Sequence, residues 1–223
     1  HNVAHSFPTR RSSDLLSAAG FAPEGGGEAT LAVRGARFER STDRRARGTL
    51  REVRVLSTVS NLPLSVAVEQ SERAAQRLKG SGILAEAENI PVPAPRSRGS
   101  MCLVTALFER SCAGFAAVAA PEEEPGRTGE RAAEACAEFV RSRGALDTQL
   151  SEALVVPMAL AAAGLAGRPR TLHRFSTSRL TDAMLAQADA VGRFLDVEVA
   201  LLEAAEGEAE VRVAHQDASL LGA

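Results

Sequence analysis

Apolar residues recur at helical spacing near the carboxyl-terminal part of the chain. The members of this apolar face are Met184, Ala188, Val191 and Leu195. Their spacing of three or four residues predicts a helix over residues 181–195. Thr181 and Asp182 are residues that commonly begin helices. The following run, residues 196–204, is rich in valine and leucine and predicts a strand. Taken alone, the stretch indicates a core helix followed by a core strand.

Similar patterns predict the other elements of the chain. Alternation predicts a strand over residues 28–33, after a glycine turn at residues 25–27. A basic last turn followed by a glycine at residues 79–80 indicates the end of a helix, and another helix is predicted after Thr128, whose hydroxyl would cap it. Further elements are predicted as strands at 83–90, 101–109 and 114–120 and a hairpin over 197–213.

Composition limits the classes of function. The chain has 223 residues, 45% of them hydrophobic and 24% charged, which suffices for one or two compact domains. A net charge of -2 gives no overall basic field, so any RNA contact would have to be a local patch. Eight phenylalanines without tryptophan or tyrosine argue against a base-stacking platform. No uncharged apolar run is long enough to cross a membrane.

The cysteines and the short motifs indicate no metal site and no familiar catalytic set. Cys102, Cys112 and Cys136 are odd in number and lack CxxC spacing, which argues against a disulfide framework or structural zinc. Buried reduced thiols in a cytoplasmic protein are expected instead. The chain contains no HExxH or GxSxG motif. The glycines at 25–27 precede a strand, so they lack the helix context of a phosphate-binding loop.

Several blocks of the chain resemble the RNA 3′-terminal phosphate cyclase family. In the first block the matching residues are Gly20, Pro23, Gly25, Gly26, Gly27 and Glu28, while Ala22 replaces a tyrosine. Arg47 and Gly48 open a strand that leads, as in the family, into a helix beginning at Leu62-Pro63. Residues 144–164 resemble a later helix of the family and match it at Asp147, Leu150, Leu154, Pro157, Ala159, Leu160 and Ala161. The carboxyl-terminal signature matches at Thr181, Leu185, Arg193, Phe194, Leu195 and Val197.

The resemblance implies a fold and its division into domains. The fold would be α+β, with a repeated strand–helix core of the RNA 3′-phosphate cyclase or enolpyruvyl-transferase type and one inserted small α+β domain. The core would comprise residues 15–60 and 145–214, the insert residues 61–144, and the tail residues 215–223. Residues 1–14 resemble a translated sequencing adapter and are expected to be disordered. The family's front repeats are unmatched, so we expect a truncated piece that is poorly soluble alone.

The resemblance also implies a chemistry, which the residues only partly retain. The family converts an RNA 3′-phosphate into a 2′,3′-cyclic phosphate with ATP, through an adenylate on a histidine. That histidine position is Ala183, which has no lone pair, so no catalytic residue is assigned. The implied ATP-binding segment consists of Gln149, Leu150, Ser151, Glu152 and Ala153. ATP is the expected cofactor, a divalent metal such as Mg²⁺ is an option, and no protein ligand to a metal is assigned.

Two functions stay open at this point. The chain is either an impaired cyclase acting on RNA 3′ ends, or a non-catalytic relative that binds RNA or assists ribosomal RNA maturation. Transferase chemistry on the related enolpyruvyl-transferase scaffold has no motif support. His173 would replace the nucleophile only if it lay against the first turn of the helix at 181–195, beside an anion-sized hollow. RNA is the implied partner, no membrane association is expected, and the oligomeric state is open.

Overall fold

A computed structural model describes residues 12–18, 20–33, 41–92, 97–164, 172–204 and 208–216. Its strands are β1 (Ser12–Ala18), β2 (Glu28–Val33), β3 (Asp43–Arg44), β4 (Leu50–Ser60), β5 (Glu86–Pro91), β6 (Gly99–Phe108), β7 (Cys112–Val118), β8 (His173–Thr177), β9 (Val197–Glu203) and β10 (Ala209–His215). Its helices are α1 (Leu64–Gly80), α2 (Pro125–Arg141), α3 (Thr148–Ala162) and α4 (Asp182–Phe194). The chain divides into two compact units. Unit 1 comprises the described residues within 1–36, 53–105 and 115–136, and unit 2 comprises those within 37–52, 106–114 and 137–223.

Unit 1 combines α-helices with β-strands. The sheet to which its strands belong has the order β5-β4-β6-β7. Strands β4 and β5 are parallel and are joined by α1, which makes them a βαβ unit. The buried residues of α1 lie on one face of the helix, at Ala67, Gln70, Ser71, Ala74 and Leu78. The expected helix is present but begins at Leu64 rather than at residue 62, and its end at Gly80 agrees with the predicted glycine stop.

A polar network lies within the core of unit 1. The Ser57 hydroxyl donates a hydrogen bond to Gln70 Oε1 at 2.8 Å, and Gln70 Nε2 donates to Ser100 Oγ at 2.7 Å. All three residues are buried. Because an unpaired buried amide would destabilise the fold, these bonds explain how a glutamine occupies the inner face of α1.

Unit 2 places two helices, α3 and α4, against one sheet. The sheet has the order β3-β8-β10-β9, and β10 pairs antiparallel with both β8 and β9. The β9–β10 pairing confirms the predicted hairpin. The buried core consists of Leu146, Val155, Met158, Ala159, Ala162, Phe175, Met184, Val191, Val197, Val211 and Val213. Burying each large member stabilises the fold by roughly 1.5–3 kcal/mol before entropy is subtracted. The predicted helix and strand over residues 181–204 are confirmed as α4 and β9.

Several predicted boundaries differ from the structure, and three of them have a clear local cause. Helix α2 begins at Pro125, before Thr128, because proline suits the first position of a helix. Thr128 consequently lies inside α2, where its hydroxyl donates to Glu123 Oε2 at 3.2 Å. Helix α3 begins at Thr148, since Asp147 provides its cap. Strand β5 begins at Glu86, because the Ile83 amide donates back to the Leu78 carbonyl in the turn that follows α1.

The ends of the chain and the domain boundary also differ from expectation. Ser12–Ala18 form β1, which pairs antiparallel with β2, so the predicted disorder of residues 1–14 does not extend over residues 12–14. Residues 1–11 lie outside the described part of the chain, as do residues 217–223 of the predicted tail. His215, which was expected in that tail, is buried at the end of β10. Strand β4, which was expected in the cyclase-like core, lies in the sheet with β5, β6 and β7. Its pairing partners place it there.

The cysteines are all free. Cys102 and Cys136 are buried, as predicted, and burial raises the pKa of both thiols to about 11. Cys112 is exposed, contrary to prediction, because it lies at the start of β7, an edge strand of its sheet. Among the helices of the described ranges, none combines the length and apolar character needed to cross a bilayer.

Candidate functional site

Helices α3 and α4 begin side by side in unit 2. The Leu146 amide donates to the Ser176 carbonyl at 3.0 Å, and the Ser178 amide donates to the Leu146 carbonyl at 3.1 Å. This bridge is parallel, so the chain enters both helices in the same direction. The Thr148 and Ser178 hydroxyl oxygens are 3.4 Å apart. The positive ends of two helix dipoles therefore lie close together, which favours an anion.

Side-chain caps hold the two helix starts in place. Asp147 Oδ1 accepts a hydrogen bond from the Leu150 amide at 2.9 Å, and Thr181 Oγ1 accepts one from the Met184 amide at 3.2 Å. The Thr181 hydroxyl donates in turn to Glu152 Oε1 at 2.7 Å. This bond joins the second turn of α3 to the start of α4. Glu152 is thereby placed beside the helix that carries the implied nucleophile position.

The five residues implied to bind ATP occupy the first two turns of α3 and point in different directions. Ser151 is buried, and its hydroxyl has no hydrogen-bond partner in the described part of the chain. Gln149 and Ala153 are exposed and share one face, since residues four apart on a helix are neighbours. Leu150 is also exposed, and Glu152 reaches Thr181. ATP binding by this segment stays a prediction.

Ala183 lies in the first turn of α4 and is exposed. A methyl group has no lone pair, so this position cannot attack a phosphorus atom or carry a nucleotide. Asp182 precedes it and is also exposed. Within the described residues no group of three or more His, Cys, Asp or Glu side chains could hold a metal ion. The two adjacent helix starts favour an anion, but position 183 supplies no nucleophile to react with it.

His173 does not meet the condition for replacing the nucleophile. It is the first residue of β8, whereas Thr177, at the other end of that strand, leads toward α4. Four residues of extended strand separate these two ends by about 13 Å. His173 is only 1% exposed, and its Nδ1 accepts a hydrogen bond from the Thr42 amide at 3.3 Å. Burial lowers the pKa of this imidazole, because the charged form is poorly solvated there. His173 is a neutral core residue.

Stability should therefore fall as the solution becomes mildly acidic. The ordinary imidazole pKa is about 6.5, and the pKa in the folded protein is lower, so the unfolded chain takes up the proton first. The contribution of His173 is complete above about pH 6.5 and declines below it, by at most about 1.4 kcal/mol per pH unit. Urea unfolding between about pH 7.5 and about pH 5.5 measures this slope. His173→Gln, which cannot titrate, should flatten it, and an unchanged slope would assign the effect to another group.

Three residues at the helix starts were not singled out from the sequence as site residues. Thr148 and Ser178 supply hydroxyls, and Arg179 is exposed just before the cap of α4. The Arg179 guanidinium has no hydrogen bond or ion pair with any other residue that the structure describes. Their positions in the sequence could have identified them, since Thr148 follows the cap residue Asp147 and Arg179 lies two residues before the cap residue Thr181. Their proximity depends on the pairing of Leu146 with the end of β8.

Residues 45–141 match the family model described as RNA 3′-terminal phosphate cyclase, insert domain. This match begins earlier than the predicted insert at residues 61–144. It includes β4, in agreement with the sheet to which that strand belongs.

Curated proteins extend the similarity to most of the chain. The RNA 3′-terminal phosphate cyclase of Methylococcus capsulatus is 32% identical over 195 residues, which cover 86% of this chain and 52% of the relative. The protein of the same name from Halobacterium salinarum is 34% identical over 154 residues, covering 69% and 43%. The one from Pseudomonas aeruginosa is 30% identical over 182 residues, covering 81% and 49%. The chain spans about half the length of these relatives.

Proposed function

This chain belongs to the RNA 3′-terminal phosphate cyclase family, and from that premise we propose that it is a member impaired in the adenylation step. The name of its relatives describes the activity, cyclisation of the 3′-terminal phosphate of RNA. The observation that carries the proposal is Ala183 in the first turn of α4, at the position where the resemblance implies a histidine. Without an imidazole there, the α-phosphate of ATP meets no nucleophile, and no covalent adenylate forms.

The site retains groups suited to holding phosphate. If ATP binds, the first-turn amides of α3 and α4 and the hydroxyls of Thr148 and Ser178 would donate to its phosphate oxygens. Arg179 would add a cation, because its guanidinium has no partner in the described residues. Mg²⁺, when bound, would neutralise phosphate charge, and the phosphates themselves would supply most of its ligands.

The impaired step is tested by installing the implied nucleophile. With α-labelled ATP, the chain as it exists should show no protein-bound label above background after denaturing electrophoresis, and Ala183→His should show label at least tenfold above that background. The matched control is Ala186→His, because Ala186 is also exposed on α4 but lies one turn further along. Label on the unmodified chain would overturn the proposal. Equal labelling of the two histidine variants would show that position 183 is not special.

The same groups favour a second function, binding of RNA 3′ ends without chemistry. A 3′-phosphate is an anion of the kind that two helix starts and an arginine unpaired within the described residues attract, and its binding needs no nucleophile at position 183. This is the non-catalytic alternative, in which the protein binds RNA or assists its maturation. A cytoplasmic location belongs to the same proposal, because all three thiols are free.

RNA-end binding has its own measurement. Fluorescence anisotropy should show that a 3′-phosphorylated oligoribonucleotide binds more tightly than its 3′-hydroxyl counterpart. Arg179→Gln should weaken the phosphorylated ligand about fivefold, or roughly 1 kcal/mol, and leave the hydroxyl ligand nearly unchanged. Arg110→Gln, in an exposed turn of the same unit, is the charge-matched control. Equal weakening by both variants would indicate non-specific attraction only.

A further inference from the structure

Unit 1 contains a cavity of about 810 Å³ that includes no residue of the candidate site in unit 2. Its apolar lining includes Phe21, Leu62, Val66 and Val118. The volume lies within the range of small-molecule binding pockets. One wall is held firmly, because the Phe21 amide donates to Ser97 Oγ at 2.9 Å and the Phe21 carbonyl accepts from the Gly25 amide at 2.8 Å.

A buried hydroxyl in the cavity wall has a proton to donate. Ser100 lines the cavity and is 2% exposed. Its oxygen accepts from the Gln70 amide, and the Gln70 carbonyl accepts from the Ser57 hydroxyl. The direction of this chain of bonds leaves the Ser100 hydroxyl as a donor, and it has no acceptor among the residues that the structure describes. A buried donor of this kind requires an acceptor, which a ligand in the cavity would provide.

One arginine and two helix starts lie at the same cavity. Arg98 lines it, is exposed, and forms no hydrogen bond or ion pair within the described ranges. Leu62 and Val66 flank the start of α1, and Pro125 is the first residue of α2, so two 17-residue helices begin at its wall. Pro63, at the cap position of α1, supplies no side-chain hydrogen bond to the first amides. Each of these features favours a negatively charged acceptor.

The carboxylates around the cavity restrict the size of that anion. Glu123 already accepts from the Ala120 amide at 2.8 Å, from Thr128 Oγ1 at 3.2 Å and from Arg131 at 2.9 Å. Glu24 and Glu122 line the cavity but are exposed, so water screens much of their charge. They would still repel a ligand with several charges. A single compact anion on an apolar body fits the lining better than a polyphosphate or an RNA backbone.

We propose that this cavity binds a small molecule made of an apolar, ring-sized body and one oxyanion, either a phosphate or a carboxylate. The oxyanion accepts from the Ser100 hydroxyl and pairs with Arg98. The apolar body packs against Leu62, Val66 and Val118. The proposal does not depend on the fate of Ala183 or on RNA binding.

Calorimetric titration of the whole chain with four probes tests the ligand class. Phenyl phosphate and benzoate carry both parts of the ligand, while phenol and inorganic phosphate carry one part each. At least one of the first two should bind tenfold or more tightly than phenol and inorganic phosphate, and the stronger one identifies the oxyanion. If inorganic phosphate binds as tightly as phenyl phosphate, the site takes an adventitious ion only and the proposal fails. Equal binding of phenol, or no binding of any probe, would overturn the proposal.

Variants then assign the contacts. Arg98→Gln should weaken binding of the better probe at least fivefold. Lys79→Gln removes the same charge near the end of α1, about 22 Å from the start of that helix, and should leave binding unchanged. Glu122→Gln should strengthen binding about twofold by removing a repulsive charge.

A second variant tests the cavity itself. Ser100→Ala is unsuitable because it would also leave the Gln70 amide unpaired, so Val118→Trp is used instead. Val118 is 53% exposed, and the larger ring should block the cavity without disturbing the network. Equal effects of Arg98→Gln and Lys79→Gln, or unchanged binding by Val118→Trp, would overturn the proposal.

Discussion

Replacing Arg47 by alanine should lower the free energy of unfolding by about 3–5 kcal/mol. The Arg47 guanidinium donates to the carbonyls of Phe139 at 2.8 Å, Val140 at 2.9 Å and Gly144 at 3.1 Å, and it also donates to the Ser142 carbonyl. The last carbonyls of a helix have no partner inside it, so Arg47 caps the end of α2. Its alanine variant would take this donor from the Val140, Ser142 and Gly144 carbonyls, whereas the Phe139 carbonyl would keep its bonds from the Ser142 amide and hydroxyl.

Aromatic contacts add to this expected loss. The Arg47 guanidinium carbon lies 4.6 Å from the centre of the Phe108 ring and 4.7 Å from that of Phe139. The two rings meet edge to face at 5.8 Å. A desolvated cation on an aromatic face is worth about 2 kcal/mol. Burial lowers the pKa of Arg47, yet a guanidinium keeps its charge at every pH at which the protein is studied.

Urea unfolding with two controls separates these contributions. Arg47→Lys keeps the charge but lacks the planar fork, so it should be destabilised by about 2 kcal/mol. Arg51→Ala removes a cation that is 61% exposed and paired with Glu109 at the surface, and its stability should be almost unchanged. If Arg47→Ala were no more destabilised than Arg51→Ala, the cap on α2 would contribute nothing to the free energy of unfolding.

Gly129→Ala should be nearly as damaging, with a loss of about 3 kcal/mol or more. A Cβ atom at this position would lie 2.0 Å from the Gln70 carbonyl oxygen and 2.9 Å from its carbon. These are backbone atoms of α1, so no side-chain rotation relieves the overlap, and α2 must move away. That movement would also disturb Gln70, whose side chain joins Ser57 to Ser100.

Gly80→Ala is the matched control for this prediction. A Cβ atom at Gly80 meets nothing within 4 Å, and alanine favours helices by up to about 1 kcal/mol over glycine. Thermal unfolding should therefore show a lower midpoint for Gly129→Ala and an unchanged or higher one for Gly80→Ala. A midpoint for Gly129→Ala equal to that of the parent would mean that α1 and α2 can move apart without loss of stability, contrary to this prediction.

Local features of the chain were predictable because their causes lie within a few residues. Helix α4 follows from apolar residues three or four apart, and its hydrogen bonds join residues in neighbouring turns. The absence of a nucleophile at Ala183 also follows from residue type alone. The family resemblance came from short blocks of the same kind, and the matched relatives support it.

Long-range pairing decided the remaining features. Arg47 lies 92 residues from Phe139 and 97 from Gly144, so its cap on α2 has no local signal. Thr181 reaches Glu152 across 29 residues, and that contact defines the site. The position of strand β4 is determined by the strands that flank it in the sheet. The sequence by itself determined which segments are helix or strand and that position 183 lacks an attacking atom. Only the tertiary structure determined which segments meet, because closing loops of many residues depends on the packing of the whole unit.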